Sequence, residues 1–470
     1  MTAFRSPRSR FAALAYVTCG ALALLGADGA AAEPQGEAAI RAVLSGGAEA
    51  EGRAQPGCVF GAFEKGRMVR LVAQGEADLF AHRPLDADTL FYGASLSKQF
   101  TALAAATLVV QGKLALEDDV RRYLPELPAY ARPVSVGMLM HHTSGIRDFL
   151  ALLRLAGMED VGKASRAQAL DLLFRQQDTA FTPGSAYSYS NGGYLLLAEI
   201  VARVSRQSFA DYANAAIFRP AGMPNAYFLD NANPVAGTFA HGYLPEGEHF
   251  VARDTFPRFS GSGGLMLSMA DLAAWEREVA QGGSVWTPAV AEILLAPGRL
   301  ADGQVLDDGK GLAYGGGLHI GRKGGERIAT HGGSAQGFKH AYLRLPDRGQ
   351  SFALLCNRGD WKASATLEKA LDAVAVRRPG MPEMPASGTY HSKELNADYT
   401  LVREGKGLAV TIASPLVESP RVLHFASQDD GAFHAGSMRL ALTRDPARLT
   451  LSRGHSGELV LLRGDERKTR

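Results

Sequence analysis

The chain has 470 residues, of which 46% are hydrophobic and 21% charged. This composition is ordinary for a soluble globular protein, and the length predicts one large domain with a smaller one attached. The formal net charge of +2 is too small to indicate a nucleic-acid or anionic-membrane partner.

The first 32 residues have the pattern of a secretory signal peptide. Arg5, Arg8 and Arg10 precede an apolar run over residues 11–25, and Ala30-Ala31-Ala32 offers a cleavage site of small residues. The apolar run is short for a helix that spans a bilayer, although an N-terminal anchor helix is the alternative. We therefore expect an exported protein, periplasmic or secreted, with no membrane insertion after cleavage.

Residues 33–376 alternate between helical and strand-like patterns, which predicts a large domain of mixed class. Helices are predicted at residues 37–48, 95–110, 135–142, 194–204, 269–275 and 364–376. Strands are predicted at residues 58–63, 67–73, 327–330, 339–345 and 351–355. The helix from residue 95 is apolar on all sides and should be buried, while residues 182–193 are rich in Pro, Gly, Ser, Tyr and Asn and indicate a loop.

The C-terminal part of the chain differs from the part before it. Residues 377–386 are rich in proline and predict a linker. Beyond them, short strands are predicted at residues 399–403, 407–412, 438–443, 448–451 and 458–462. Residues 387–470 are therefore expected to form a small all-β domain.

The first candidate for chemistry is Ser95-Leu-Ser-Lys98, the chain's single Ser-x-x-Lys. A serine hydroxyl needs a base to become a nucleophile, and a lysine three residues further along a helix lies on the same face. Burial would lower the lysine pKa and make Lys98 a better base. The motif alone is weak evidence, because a capping serine followed by a solvent-facing lysine gives the same pattern.

Two further motifs supply the remaining groups. In Tyr189-Ser-Asn191, the phenol could shuttle protons beside Lys98, whose charge would favour the phenolate, and Asn191 could hold both Lys98 and a substrate amide. In His331-Gly-Gly333-Ser334, the glycines would let a substrate backbone lie against a strand, and the N–H groups of Ser95 and Ser334 could form an oxyanion hole. Taken singly, the first motif is better explained by an ordinary polar turn, and the second by a glycine turn with a surface histidine.

The order and spacing of the three motifs resemble the serine β-lactamase and penicillin-binding-protein superfamily, in its class C and D-aminopeptidase-like branch. The resemblance covers residues 36–376. Further matching segments are Tyr92-Gly-Ala-Ser-Leu-Ser-Lys-Gln-Phe100, His142-Thr-Ser-Gly-Ile146, Phe218-Arg-Pro-Ala-Gly-Met223, Gly263-Gly-Leu-Met-Leu-Ser268 and Leu354-Leu-Cys-Asn357.

The resemblance implies an α+β fold: a three-layer α/β/α arrangement with a central antiparallel sheet and a helical subdomain, followed by a lipocalin-like β-domain. It also implies that Ser95 is the nucleophile and that Lys98 and Tyr189 transfer protons. Asn191, His331, Gly333 and Ser334 would position the substrate. No metal or other cofactor is implied.

One departure from the family pattern bears on the substrate. β-Lactamases of this branch carry Lys-Thr-Gly or Lys-Ser-Gly where this chain has His331-Gly-Gly333. A histidine is largely uncharged at neutral pH and attracts a substrate carboxylate less than a lysine does. We therefore expect a peptide or amide bond of D-amino-acid-containing peptides as the substrate, with D-aminopeptidase or D,D-carboxypeptidase-like activity.

Three alternatives remain open at this point: a short-chain ester hydrolase, a β-lactamase, and a penicillin-binding sensor that acylates without turnover. The partner is in each case a small peptide, ester or β-lactam molecule, and the sequence assigns no oligomeric state. The absence of a Gly-x-Ser-x-Gly elbow argues against an α/β-hydrolase, and His141 and His142 are expected to be structural.

Two cysteines follow the predicted signal peptide, Cys58 and Cys356. Two thiols cannot supply a four-ligand zinc site, and from the residues alone a disulfide and two buried free thiols are equally compatible. In the resembled fold the first strand of the large domain neighbours the last. The resemblance therefore implies that these two cysteines pair.

Overall fold

The structure is a computed structural model that describes residues 33–45, 54–158, 160–230, 234–253, 256–374, 383–428, 431–443, 445, 447–453 and 458–464. The predicted signal peptide at residues 1–32 and the first part of the predicted linker lie outside the described residues. None of the helices in the described ranges has the length and apolar character needed to cross a membrane.

The chain forms ten α-helices and 22 strands within these ranges. The helices are α1 (Glu33–Leu44), α2 (Ser97–Val110), α3 (Val136–Met140), α4 (Phe149–Leu155), α5 (Arg166–Phe174), α6 (Asn191–Ser205), α7 (Phe209–Ala213), α8 (Met269–Gln281), α9 (Pro288–Leu295) and α10 (Ala363–Ala373).

The strands fall into the large domain and the C-terminal region. Those of the large domain are β1 (Cys58–Glu64), β2 (Arg67–Gln74), β3 (Glu76–Asp78), β4 (Arg83–Pro84), β5 (Phe91–Tyr92), β6 (Tyr227–Phe228), β7 (Tyr243–Glu246), β8 (His249–Ala252), β9 (Leu265–Leu267), β10 (Ala313–Tyr314), β11 (His319–Lys323), β12 (Glu326–Ala335), β13 (Phe338–Leu345) and β14 (Gln350–Cys356). Those of the C-terminal region are β15 (Gly388–Ser392), β16 (Ala397–Glu404), β17 (Gly407–Ala413), β18 (Arg421–Ser427), β19 (Phe433–Ala435), β20 (Met438–Leu442), β21 (Arg448–Arg453) and β22 (Leu459–Arg463).

The large domain is built on a seven-stranded antiparallel sheet in the order β10-β11-β12-β13-β14-β1-β2. Side chains of a strand alternate between the two faces of a sheet. Accordingly, Val59 and Phe63 of β1 join a large core with α2, α6 and α8, whereas Phe60 packs into a second core with α1 and α10. The sheet is therefore the middle of three layers, and the predicted α/β/α arrangement with an antiparallel sheet is confirmed.

Helix α2 is the centre of the larger core. Its residues are almost all buried, including Phe100, Leu103 and Leu108. The ring of Phe100 contacts Phe218 and Trp275, with ring centroids 5.5 Å and 5.2 Å apart. A helix that is apolar on every face is stable only when it is surrounded, so α2 is held rigidly from all sides. This rigidity fixes the position of the residues at its N-terminus.

A disulfide joins the central strands β1 and β14. Cys58 and Cys356 lie directly opposite each other in the antiparallel register, and both are fully buried. The pairing that the resemblance implies is thus present, and the bond crosslinks positions 298 residues apart in the sequence. A crosslink that closes so long a loop restricts the unfolded chain strongly.

Eight C-terminal strands close into a barrel in the order β15 to β22. Its interior is apolar and includes Tyr390, Tyr399, Phe425 and Phe433. An ion pair between Lys406 of the barrel and Asp372 of α10, with Nζ and Oδ2 2.5 Å apart, connects the barrel to the helical layer. The predicted small all-β domain is confirmed as a class, with eight strands where the sequence predicted five.

Several predicted helix boundaries are wrong: α8 continues to Gln281, six residues beyond its predicted end, and α10 ends at Ala373. The helix expected at residues 37–48 begins earlier, at Glu33, and ends at Leu44. The loop expected at residues 182–193 ends sooner, because Ser190 caps α6 by accepting a hydrogen bond from Gly193 N–H, which makes Asn191 the first helical residue. Asn191 is therefore held by a helix and not by a loop.

Candidate active site

Ser95 lies in a short 3₁₀ turn, Ala94–Leu96, that leads directly into α2. The residue before it, Ala94, has a φ of 47°, a left-handed conformation that costs free energy in a residue with a Cβ. The turn is held by β9, since Gly93 N–H donates to Leu265 O at 2.8 Å. This tight turn leaves the Ser95 side chain only partly buried, at the wall of a cleft.

Lys98 is fully buried and its ammonium group contacts three oxygen atoms. Nζ lies 3.2 Å from Ser95 Oγ, 2.8 Å from Asn191 Oδ1 and 2.8 Å from the carbonyl oxygen of Ser262. A charged lysine would donate to all three. A neutral lysine would donate its two N–H groups to Asn191 and Ser262, which leaves its lone pair directed at the Ser95 hydroxyl.

Burial makes the neutral form of Lys98 accessible. Desolvation lowers its pKa from 10.5 to about 7, opposed by the negative charge of Asp148, which raises it. A base works best when its pKa lies near the working pH. The buried position of Lys98 therefore agrees with the expectation that burial lowers its pKa.

Tyr189 approaches Ser95 from the other side. Its O–H donates to Ser95 Oγ at 2.9 Å, and Lys98 Nζ lies 4.7 Å from the centre of its ring. Burial raises the pKa of Tyr189 above its ordinary value, and the hydrogen bond to Ser95 only partly offsets this. The expectation that Lys98 favours a Tyr189 phenolate is therefore wrong: burial raises the pKa of the phenol, which keeps its proton.

Asp148 fixes the orientation of Asn191. Its Oδ2 accepts hydrogen bonds from the Asn191 backbone N–H at 2.8 Å and from Asn191 Nδ2 at 2.7 Å. Because the amide nitrogen faces Asp148, the amide oxygen must face Lys98. Asp148 itself is held at the start of α4, where its Oδ1 accepts from Ala151 N–H. The Asp148 carboxylate thus orients the Asn191 amide, and the Asn191 amide oxygen in turn positions the Lys98 amine.

His142 holds the segment that carries Tyr189. Its Nδ1 accepts a hydrogen bond from Ser190 N–H at 3.1 Å, and its carbonyl oxygen accepts from Ser188 N–H at 3.0 Å. The ring also lies against the Tyr189 ring, with centroids 4.4 Å apart. Desolvation, reinforced by the Lys98 charge, keeps the pKa of His142 well below 6.5, so the ring is neutral. His142 therefore fixes Tyr189 from both neighbouring residues and from its ring face.

The second wall of the site is the free edge of β12. Strand β11 pairs with β12 only as far as Thr330, and no other described strand pairs with residues 331–335 on that side. At Gly333 a Cβ would lie 2.7 Å from the carbonyl oxygen of Gly93, so only glycine lets β12 pass this close to the Ser95 turn. The edge from His331 to Ser334 is therefore not covered by another described strand and lies beside the Ser95 turn.

His331 points into the buried side of this edge. Its Nε2 lies 3.1 Å from the Tyr314 hydroxyl, and its ring lies 5.3 Å from that of His319. Desolvation, together with the Lys98 charge, lowers its pKa from 6.5 to about 3. His331 is therefore neutral in the physiological range and supplies no positive charge to a substrate.

These walls enclose a cleft of about 170 Å³ beside Ser95. Asn191, Ser262 and Ser334 line it together with apolar side chains of α4 and the segment around Phe259. The structure thus brings Lys98 into contact with Ser95, Asn191 and Tyr189, and Tyr189 into contact with Ser95. It places His331, Gly333 and Ser334 on the adjacent strand edge. The sequence did not single out Asp148, and it left Ser262 without a role in the site.

The comparisons with known proteins agree with this geometry. Residues 44–377 match the family model described as Beta-lactamase. The chain belongs to the β-lactamase family. It is 32% identical over 290 residues to a D-aminopeptidase of Brucella anthropi, and these residues are 60% of this chain and 52% of that protein. It is 30% identical over 328 residues to penicillin-binding protein 4* of Bacillus subtilis, which covers 66% of this chain and 71% of that protein.

Among solved structures, the octameric penicillin-binding protein homologue from Pyrococcus abyssi has a similar fold. The TM-score is 0.61 at 22% identity, and the match covers 86% of this chain and 96% of that one. The match covers a larger share of this chain than residues 33–376 make up. The similarity therefore extends into the barrel. In contrast, this β-lactamase-family chain spans about half of the length of the D-aminopeptidase that it matches.

Proposed function

We propose that this chain is a serine hydrolase that cleaves amide bonds of D-amino-acid-containing peptides through an acyl-enzyme on Ser95. One observation carries the proposal: Ser95 Oγ lies within hydrogen-bond distance of both Lys98 Nζ and the Tyr189 hydroxyl, at 3.2 Å and 2.9 Å. The similarity to a D-aminopeptidase supports the substrate class. The predicted signal peptide supports export to the periplasm or the medium.

The acylation step follows from the protonation states of the two groups. Neutral Lys98 takes the proton of Ser95 as Oγ attacks the substrate carbonyl carbon. The carbonyl oxygen becomes an oxyanion, to which the N–H groups of Ser95 and Ser334 donate. The C–N bond then breaks as Tyr189 gives its proton to the leaving amine and regains one from Lys98.

Deacylation runs the same steps with water. Water gives a proton to the neutral base and attacks the ester carbonyl, and Ser95 recovers its proton as the acid product leaves. Lys98 is neutral again at the end of the cycle. Both halves require the depressed pKa of Lys98.

The test uses a fluorophosphonate, which phosphonylates activated serines, and D-alanine p-nitroanilide as the amide. We expect one adduct on the wild type by intact mass, located at Ser95, and p-nitroaniline release. Ser95→Ala should lose both. Ser364→Ala, which changes an exposed serine on α10, should keep both. Labelling of the Ser95→Ala variant at the wild-type rate would refute the proposal.

A penicillin-binding function is a second candidate, favoured by the similarity to penicillin-binding protein 4*. Benzylpenicillin separates the two functions in the same mass measurement. A Ser95 penicilloyl adduct that persists, without release of p-nitroaniline, would favour the penicillin-binding function. The neutral state of His331 leads us to expect weak recognition of the penicillin carboxylate.

A further inference from the structure

The cleft beside Ser95 contains one charged side chain and no acid among the described residues that line it. That side chain is Arg154, which follows Leu150 by four residues on α4, so both side chains lie on the same face of the helix. Phe149 and Phe259 complete an apolar wall, with their ring centroids 4.8 Å apart. The cleft is therefore a small slot with polar groups beside Ser95, an apolar wall on the α4 side and a guanidinium group on that wall.

Arg154 has no partner of its own within the described part of the chain. It is exposed, and no carboxylate or carbonyl oxygen there accepts a hydrogen bond from it. Asp148, the N-cap residue of the same helix, already accepts from Ala151 and twice from Asn191. The guanidinium group is therefore available to a ligand.

The position of Tyr189 shows which half of the substrate enters this cleft. In the proposed mechanism the leaving amine must lie beside Tyr189, its proton donor. Tyr189 does not line the cleft, whereas Asn191, Ser262 and α4 do. The cleft beside Arg154 therefore holds the acyl half of the substrate.

From these three observations we infer that the preferred substrates carry a carboxylate on the acyl side of the scissile amide bond, bound by Arg154. A free α-ammonium group on that side would meet a guanidinium and no acid among the described residues that line the cleft. This inference rests on the proposed function and narrows it. The enzyme cleaves peptides whose N-terminal side is acylated or acidic, and it is not an aminopeptidase in the strict sense.

The test compares three p-nitroanilides of D-alanine with the same leaving group: N-succinyl, N-acetyl and unsubstituted. We expect the wild type to prefer the succinyl over the acetyl compound in kcat/KM, by about fivefold at low salt. Raising the ionic strength from about 20 mM to about 500 mM should reduce this preference, because the guanidinium is exposed.

The variants isolate Arg154. Arg154→Gln should bring the succinyl-to-acetyl ratio close to one, and Arg154→Glu should bring it below one. The control Arg132→Gln changes an exposed arginine away from the cleft and should keep the wild-type ratio. An unchanged ratio in Arg154→Gln, or a wild-type preference for the unsubstituted compound, would overturn the inference.

Failure of the proposed function gives a different result. If the fluorophosphonate does not label Ser95, the proposed function is wrong, and the inference, which rests on it, is wrong too. If it labels Ser95 but none of the three anilides is cleaved, their competition against labelling replaces kcat/KM. The succinyl compound should then protect Ser95 at the lowest concentration, and equal protection by all three would overturn the inference alone.

Discussion

The large domain and the C-terminal barrel fill their interiors differently. The large domain buries Lys98, His142, His331 and Asn357 along with its apolar core, whereas Ser392 is the one buried polar residue among the described barrel residues. A buried polar group costs free energy unless it is paired, so a fold retains it where it has a task. We infer from this difference that the catalytic chemistry takes place in the large domain.

The barrel interior supports the same division. An eight-stranded barrel is just wide enough to be filled by side chains. Here Tyr390, Tyr399, Phe425 and Phe433 occupy the centre, together with leucines from β16, β17, β20, β21 and β22. We therefore expect the barrel to contribute stability and the large domain to contribute catalysis. Substitutions in the two regions test this division, beginning with the one expected to lower turnover most.

Removing the base should have the largest effect. Lys98→Met keeps the length of the side chain but removes the amine, so the labelling rate of Ser95 by the fluorophosphonate should fall by about a thousandfold. Lys113→Met, at an exposed lysine just after α2, is the matched control and should label at the wild-type rate. A loss below tenfold in Lys98→Met would show that another group activates Ser95.

Removing the Asp148 carboxylate should have an intermediate effect with a signature in pH. Asp148→Asn should lower kcat/KM by about 10- to 100-fold, because the new amide has one acceptor oxygen where the carboxylate uses two, one for Ala151 and one for Asn191. Activity requires neutral Lys98, so the wild-type rate should fall below pH about 7. Asp148 raises the pKa of Lys98, and its removal should move this acid limb to lower pH.

The control for this variant is Asp171→Asn, which breaks an exposed pair with Arg175 on α5 and should change neither quantity. A lower rate with an unmoved acid limb would mean that Asp148 supports the site only structurally. A limb that moves to higher pH would contradict the electrostatic account.

The sequence predicted the parts of the site that lie on strong local patterns. Helix α2 has a long apolar stretch, so its position could be predicted from the sequence, and with it the spacing of Ser95 and Lys98. Asp148 and His142 act through contacts with residues 188–191, more than 40 positions along the chain, and no local pattern reports such contacts. The expectation of a Tyr189 phenolate was wrong because the sequence of one loop does not show how deeply its tyrosine is buried.

The missed strands have equally physical causes. Strand β19 is only three residues long, and β11 contains a glycine and two basic residues without an apolar alternation. Strand β18 exposes four of its seven residues, so it lacks the continuous apolar signal of a central strand. These strands form because their neighbours in the barrel or sheet offer hydrogen bonds, which is tertiary information.

Acid should destabilise the large domain through its buried neutral histidines. His340 accepts a hydrogen bond from Cys356 N–H at Nδ1, and its Nε2 lies 2.9 Å from Tyr92 O, so the ring is held neutral. Burial lowers its pKa from 6.5 to about 4. Because the unfolded chain takes up the proton first, the stability contributed by His340 falls as the pH drops from about 6.5, by about 2 kcal/mol at pH 5.

His340→Gln should therefore weaken the loss of stability between pH 7.5 and pH 5, at the cost of a lower stability at pH 7.5. Urea unfolding followed by tryptophan fluorescence measures this, since Trp275, Trp286 and Trp361 all lie in the large domain. His249→Gln, at an exposed histidine of β8, should keep the wild-type pH dependence. The same dependence in both variants would show that His340 titrates normally.

A cavity in the barrel should have the smallest effect on turnover. Leu449 of β21 is fully buried, and Leu449→Ala should destabilise the barrel by about 2–4 kcal/mol. The barrel meets the large domain at α10, in the helical layer on the opposite face of the sheet from α2 and Ser95, and at Gly324, in the turn before β12. The kcat/KM should therefore stay within about twofold of wild type, since core effects at distant sites are independent.

Leu103→Ala, a matched cavity in α2, should instead shift the tryptophan transition and lower kcat/KM. A tenfold loss in Leu449→Ala would show that the barrel helps to shape the active site, and the division between the two regions would fail.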